Sequence, residues 1–348
     1  MSLRPPRKRY LWVWLLCLVA FYVVWLWLVS GDGAWDMAKS NWPIALAMAL
    51  GSFAAGSTPM GGGTVGFPVL VLMFDQPAGL GRDFSFAVQS IGMTSATIFI
   101  LARRQPLAYA MLKGAIAGSL IGTPLGIFCI APFLSDLWIK IIFAVIWASF
   151  GLLHLYRMRE IAGHIGMTEF DEHWDLRVGF ILGVLSAATA VSVTGVGIDM
   201  VLYATLVLLC RADLKFAIPT SVVIMALTSI LGITVKALSG DIHPGVYENW
   251  LAAAPVVALG APLGVFIVEM IGRRPILLFV AVLCVGQFVW TCFNEWTALG
   301  VAGVTAALVA VGGCLLVFEK LRAWGGVLVG EQKEKNRARM VADQPGGA

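Results

Sequence analysis

Charge is what this sequence has least of. Asp, Glu, Lys and Arg together make up 13% of its 348 residues, against 59% apolar residues and a mean hydropathy of +0.87. Such a chain is built to sit in lipid rather than to fold around a water-excluded core. The six cysteines (Cys17, Cys129, Cys210, Cys284, Cys292, Cys314) lie in or beside apolar stretches and form no CxxC pair, which argues against a disulfide framework or a thiolate metal site. Histidine is equally sparse, and His154, His164 and His173 show no ligand spacing, so neither a metal nor a cofactor is expected. The spans also lack any Ser/His/Asp or Glu/His constellation, which argues against an intramembrane enzyme. The one compact basic run, Arg4 to Arg9, directly precedes an apolar segment. It reads as a cytoplasmic anchor, and no nucleic-acid partner is implied.

What is abundant is apolar sequence in membrane-length pieces. A span needs about 20 apolar residues, and candidates are 11–29, 84–102, 108–131, 137–156, 216–237, 248–271, 275–293 and 297–318. The first is too long and too rich in Trp for a signal peptide, with no small-residue cleavage site after it, and is expected to be retained. Two further stretches, 42–74 and 177–210, are long but broken at Ser57 to Thr64 and at Ser192 to Gly197.

These broken stretches belong to a duplication. Leu50 to Leu72 is matched by Leu182 to Ala204, and GTPLG (Gly122 to Gly126) is matched 138 residues on by GAPLG (Gly260 to Gly264). The small residues of the pentapeptides read as helix-packing surfaces. Paired interrupted segments in two halves of a membrane chain mark a transporter site. Each broken stretch either crosses the bilayer or returns as a hairpin. With two hairpins and a cytoplasmic N-terminus, only Lys39, Arg82, Lys140 and Lys236 remain outside. With two crossings, Arg103, Arg104, Lys113, Arg157, Arg159 and Arg177 would move out, so the positive-inside rule favours hairpins. The expected fold is therefore an all-α integral membrane protein with two inverted-topology repeats. Each repeat is a broken, re-entrant helical hairpin plus three transmembrane helices, with one flanking span at each end. The expected division is an anchor and first span (1–30), a first repeat (42–156), a cytoplasmic linker (157–176), a second repeat (177–293), a last span (297–318) and a charged, disordered cytoplasmic tail (319–348). Lys236 is expected to snorkel from a span end.

Chemistry is expected at the hairpin tips, where backbone leaves the helix inside the bilayer and must line a protein-enclosed or wet site. The run Pro59 to Thr64 frees amides at the start of the next helix, an anion-binding arrangement, through Gly61, Gly62 and Gly63. Thr58, Thr64, Ser192 and Thr194 add hydroxyls, and Gly195 and Gly197 form the second tip. The following spans offer Gln89 and Ser90 in the first half and Thr220 and Ser221 in the second. Because a helix end contributes only about 0.3–1 kcal/mol toward an anion, such a site needs several direct donors or retained water. Asp199 is the ionisable residue expected deepest in the membrane, and it is either a proton-coupling carboxylate or a structural cap.

These residues resemble a known group. GSFAAGSTPMGGGTVGFPVL, the segment Thr220 to Val223 and the repeated GxPLG are similar to the TauE/SafE (sulfite exporter, TSUP) family over about 42–293. The resemblance implies a secondary carrier moving sulfite or organosulfonates such as sulfoacetate outward across a bacterial inner membrane, with proton linkage. It carries the family's glycine-rich element onto Gly61, Gly62 and Gly63, and onto Gly195 and Gly197, where GVGID replaces a full GGG. A passive anion channel is the alternative. The expected partners are a small sulfur-containing anion, membrane lipid and a second copy in a homodimer.

Overall fold

The computed structural model describes residues 10–168, 170–271 and 273–342. Among these, every regular element is helical: α1 (Leu11–Val29), α2 (Ala34–Ser40), α3 (Trp42–Ser57), α4 (Gly63–Pro68), α5 (Ala78–Ala102), α6 (Tyr109–Cys129), α7 (Asp136–Ile161), α8 (Glu172–Ser186), α9 (Ser192–Thr194), α10 (Ile198–Ala204), α11 (Leu214–Leu238), α12 (Val246–Ile271), α13 (Arg273–Asn294) and α14 (Trp296–Ala342). Nine helices among the described residues are long and apolar enough to cross a membrane. The protein is a multi-pass membrane protein. Its outermost members, α1 and α14, turn mostly uncovered apolar side chains outward, as lipid-facing helices do.

Both broken stretches double back. After α3, Thr58 is extended (φ −135°, ψ 166°), and α4 then runs alongside α3 in the opposite sense. The antiparallel register is direct: Gly62 lies beside Ala55, Val65 beside Gly51, and Gly66 beside Met48. α4 continues as a π-helical turn, Val69–Met73, whose end shares a recess with Ile44 at the start of α3. In the second stretch, α8 passes through a π-helical turn (Ala187–Val191) into α9, and the chain reverses at Gly195 (φ +81°) and Gly197 (φ +121°). Side chains rarely adopt those angles, so glycine is what permits the reversal. α10 and the π-helical turn Thr205–Leu209 then return to the start of α8, where the Asp213 amide donates to Gly166 O at 2.6 Å.

The two halves carry the same element series about 136 residues apart. α5 and α11 have equal length, the residues Asp75 and Arg211 that follow each returning arm share φ +51°, and the turns after α5 and α11 hold Arg104 (φ +50°) and Gly240 (φ +64°). Packing follows the same plan across the halves. α3 lies on α12, α8 on α6, α5 on α11 and α7 on α13. The repeated pentapeptides make the first two contacts close. A Cβ on Gly56 would lie 1.8 Å from Ala261 O, on Gly264 2.2 Å from Phe53 O, on Gly122 2.4 Å from Val184 O and on Gly126 2.3 Å from Ala188 O. GTPLG and GAPLG are thus the surfaces against which the other half's hairpin packs backbone to backbone, in the manner of small-residue membrane interfaces.

Three expectations need correction. The segment 319–342 is not disordered but continues α14, tied to α7 by Arg157–Glu319 (2.8 Å) and Arg322–Glu160 (3.2 Å), with Gly325 against Leu208 O; 343–348 lie outside the described residues. Of the segment 157–176, residues 157–161 end α7 and 172–176 begin α8, leaving 162–171 as the connection. Lys236 does not snorkel. It is 2% exposed and held between Asp83 and Asp241. Of the basic anchor, residues 4–9 lie outside the described residues.

Candidate functional site

The hairpin tips meet in the interior. Asp199, in the first turn of α10, is fully buried, and its Oδ1 accepts from the Gly197 amide (3.1 Å) and the Met200 amide (3.0 Å). Those two bonds are local and make Asp199 a cap on its own helix. The third is not local: Oδ2 accepts from the Gly61 amide at 2.6 Å, across from the other hairpin. A carboxylate therefore already occupies the position that the freed tip-1 amides create. Its bonds are to backbone dipoles rather than to a cation.

Gln89, on α5, spans the same junction. Its Nε2 donates to Ser85 O (3.0 Å) and to Gly195 O (3.1 Å) on tip 2, which turns Oε1 toward tip 1. Oε1 has no hydrogen-bond partner, and a Cβ on Gly61 would fall 1.9 Å from it. Ser85 lies where both tips converge, close to Gly63 and to Gly195, with its hydroxyl donating to Gly81 O. Thr64 accepts from the Trp147 indole at 2.8 Å, and Trp147 continues a ring stack through Phe143 to Phe67. Gly62 and Gly63 begin α4, so their amides have no intrahelical acceptor.

The other hydroxyls are spent on backbone. Thr58 donates to Ala54 O, Ser192 to Ala188 O, Thr194 to Ala190 O and Ser221 to Ile218 O. This self-bonding is common for Ser and Thr in membrane helices. Two residues lie apart from the tips. Ser90 faces a groove against α1 that is lined by Trp14, Cys17 and Phe21. Thr220 accepts from the Ala108 amide at 3.0 Å, where the chain leaves α5 to enter α6. Gly61, Gly62, Gly63, Thr64, Gln89, Gly195, Gly197 and Asp199 are thus brought together, while Ser90 and Thr220 are not.

Sequence reasoning missed several residues near the tips. Ser85 and Trp147 touch them directly. Cys284 on α13 places its thiol 3.4 Å from the Met60 sulfur. His154 lies inside α7, fully buried and bonded through Nε2 to the Tyr203 hydroxyl at 3.0 Å. A buried Asp83, 2.8 Å from Arg82 Nε and 3.4 Å from Lys236 Nζ, also lies on α5 near tip 2. The only hint of it in sequence is a carboxylate close to a span end, which by itself reads as solvated.

The tips are closed on one another. Beside Gly62 and Gln89, a recess of about 10 Å³ is bounded by Met48, Ser52, Met93 and Val257, room for roughly one water. As it stands, the junction has no room for an oxyanion beside these amides. Chemically, the arrangement holds a carboxylate, that of Asp199, through backbone donors from both tips.

Comparison with curated proteins and with solved structures finds no match. Comparison with family profiles matches residues 44–290 to Sulfite exporter TauE/SafE, an interval that takes in both hairpins, all four cross-half pairings and every residue of the tip junction. The chain belongs to the TauE/SafE sulfite exporter family.

Proposed function

We propose that the chain is a secondary carrier that exports sulfite or an organosulfonate such as sulfoacetate by alternating access, with proton linkage through Asp199. The observation that carries this reading is the Asp199–Gly61 bond: a carboxylate from one hairpin held at 2.6 Å by the freed amide of the other. A tip that binds one oxyanion suits another of similar size, provided the resident carboxylate releases it. Protonation supplies the release, since a neutral carboxyl has a weaker claim on backbone donors than a carboxylate. Proton uptake and substrate binding would thereby be coupled at one position. The sealed tips support a carrier over a passive pore.

The two halves are proposed to be inverted repeats. Supporting this are the fold-back of both hairpins and the parallel packing of α3 on α12 and of α6 on α8, as expected of halves that run in opposite senses. With the basic residues placed as the positive-inside rule prefers, α3 begins at the exterior face of a bacterial inner membrane and both termini are cytoplasmic. Uptake of labelled sulfite, sulfoacetate and taurine into proteoliposomes, with and without a pH gradient, tests the proposal. Saturable flux accelerated by substrate on the opposite side is expected. Flux of none of these anions, or linear flux indifferent to the opposite side, would overturn it.

A further inference from the structure

Gln89 leaves one acceptor buried and unmatched where the hairpins meet. Both hydrogens of its Nε2 are committed, one to Ser85 O on its own helix and one to Gly195 O on tip 2. Reversing the amide would set its oxygen, which has no hydrogen to give, against those two carbonyl oxygens. The side chain is therefore held one way round, with Oε1 aimed at tip 1. Gln89 is 1% exposed, and Oε1 has no hydrogen-bond partner among the described residues. The recess beside it offers one other polar side chain, Ser52, whose hydroxyl donates to Ala49 O. Buried acceptors are seldom left in this state, because the group has lost its water and gained nothing.

The place that Oε1 faces already binds an oxygen. A Cβ on Gly61 would stand 1.9 Å from Oε1 and 3.1 Å from Asp199 Oδ2, so both oxygens crowd one point beside the amide that donates to Oδ2. The Asp199 carboxylate satisfies that amide and does nothing for Gln89. Between the tips, then, a donor on tip 1 faces an acceptor fixed to tip 2. A ligand that takes the place of the carboxylate and satisfies both must offer an oxygen to Gly61 and a hydrogen to Gln89. We propose that Gln89 is a specificity-determining residue, and that the tip site takes oxyanions carrying a hydrogen on oxygen or nitrogen. Hydrogensulfite and aminosulfonates belong to that class; the sulfite dianion, sulfate and simple alkanesulfonates do not. This rests on the carrier reading above and adds which form of cargo is bound. It favours hydrogensulfite over sulfoacetate, whose acid groups are both ionised near neutral pH. A site that hydrogen-bonds a ligand's own O–H or N–H rejects the analogue lacking it more strongly than pocket shape alone can.

The test is the affinity of the purified full-length chain for sulfamate and for methanesulfonate. Both are monoanions with the same sulfonate oxygens and nearly the same shape, and they differ in carrying NH2 or CH3. Titration calorimetry should show sulfamate bound at least about tenfold more tightly by the native chain. Gln89→Met keeps the reach of the side chain and removes Oε1, and the preference should disappear. A merely structural role for Gln89 would weaken both anions together and leave their ratio unmoved. The native ratio also decides by itself where Gln89→Met does not fold. Equal affinities in the native chain, binding of neither anion, or a preference that survives in folded Gln89→Met would overturn the assignment. Flux of labelled sulfite separates the two ideas: saturable flux with equal affinities keeps the carrier and removes the role of Gln89, while a sulfamate preference without flux keeps that role and removes the carrier.

Discussion

Asp199→Asn isolates the contact that joins the two hairpins. The variant keeps the side chain's shape and replaces one acceptor oxygen with an NH2 group. Two local amides, Gly197 and Met200, converge on Oδ1, so the remaining carbonyl oxygen of Asn is retained there. The NH2 then faces the Gly61 amide, donor against donor, where a 2.6 Å bond stood. Losing a hydrogen bond to a charged group costs about 1.5–3 kcal/mol. At about 1.4 kcal/mol per tenfold, the equilibrium for parting the tips rises roughly 10- to 150-fold. Hydrogen–deuterium exchange of a peptide covering residues 58–68 reads this directly, because those amides exchange only when the hairpin opens. Exchange should accelerate by that factor, while the peptide over 111–126, in the α6–α8 contact, stays protected. A folded variant whose tip-1 protection equals that of the native chain would show that Asp199 only caps α10. The same variant, if it transports, should lose its dependence on a pH gradient.

Gly56→Ala places a methyl 1.8 Å from Ala261 O and forces α3 away from α12, costing about 1–3 kcal/mol as overpacking. A thermal melt checks this against Gly286→Ala in α13, whose Cβ meets nothing within 4 Å and should leave the midpoint unchanged or slightly raised. Gly62→Leu is different. Its Cβ meets nothing closer than Met48 Cε at 3.4 Å, but the rest of a leucine exceeds the one-water recess, so the strain falls on the tip rather than on the α3–α12 contact. Flux should vanish, and normal sulfite transport by Gly62→Leu would remove tip 1 from the mechanism. His164, in the connection between α7 and α8, is held below its ordinary value of 6.5, first by burial and then by the Arg211 charge. A depressed value means the unfolded chain binds the proton more readily, so the contribution is full above pH 6.5 and is lost as pH falls through the folded value. Thermal stability should therefore drop between about pH 7.5 and 5 in the native chain and drop less in His164→Gln; equal losses would show that other groups carry the acid sensitivity.

What could be read in sequence followed from local chemistry. Glycine and proline at Ser57 to Thr64 and Ser192 to Gly197 cannot continue a helix, so the breaks were visible, and the repeated GxPLG announced both the duplication and its packing role. The charge distribution then favoured hairpins, which is how the chain runs. The partners were not legible, because hydropathy averages along the chain and carries nothing about what lies across it. Asp199 stood out as an ionisable residue, but its bond to Gly61 joins positions 138 residues apart. The helix formers of 319–342 looked like a charged tail because Glu319 and Arg322 meet their partners on α7, far back in the sequence.

The same blindness covers Asp83, whose bond to the His243 amide joins positions 160 residues apart. Symmetry of backbone was inferable from matched glycines, since glycine records where chains approach. Symmetry of side-chain chemistry was not: the Asp83 carboxylate accepts from the His243 amide after α11, whereas the Thr220 hydroxyl accepts from the Ala108 amide after α5.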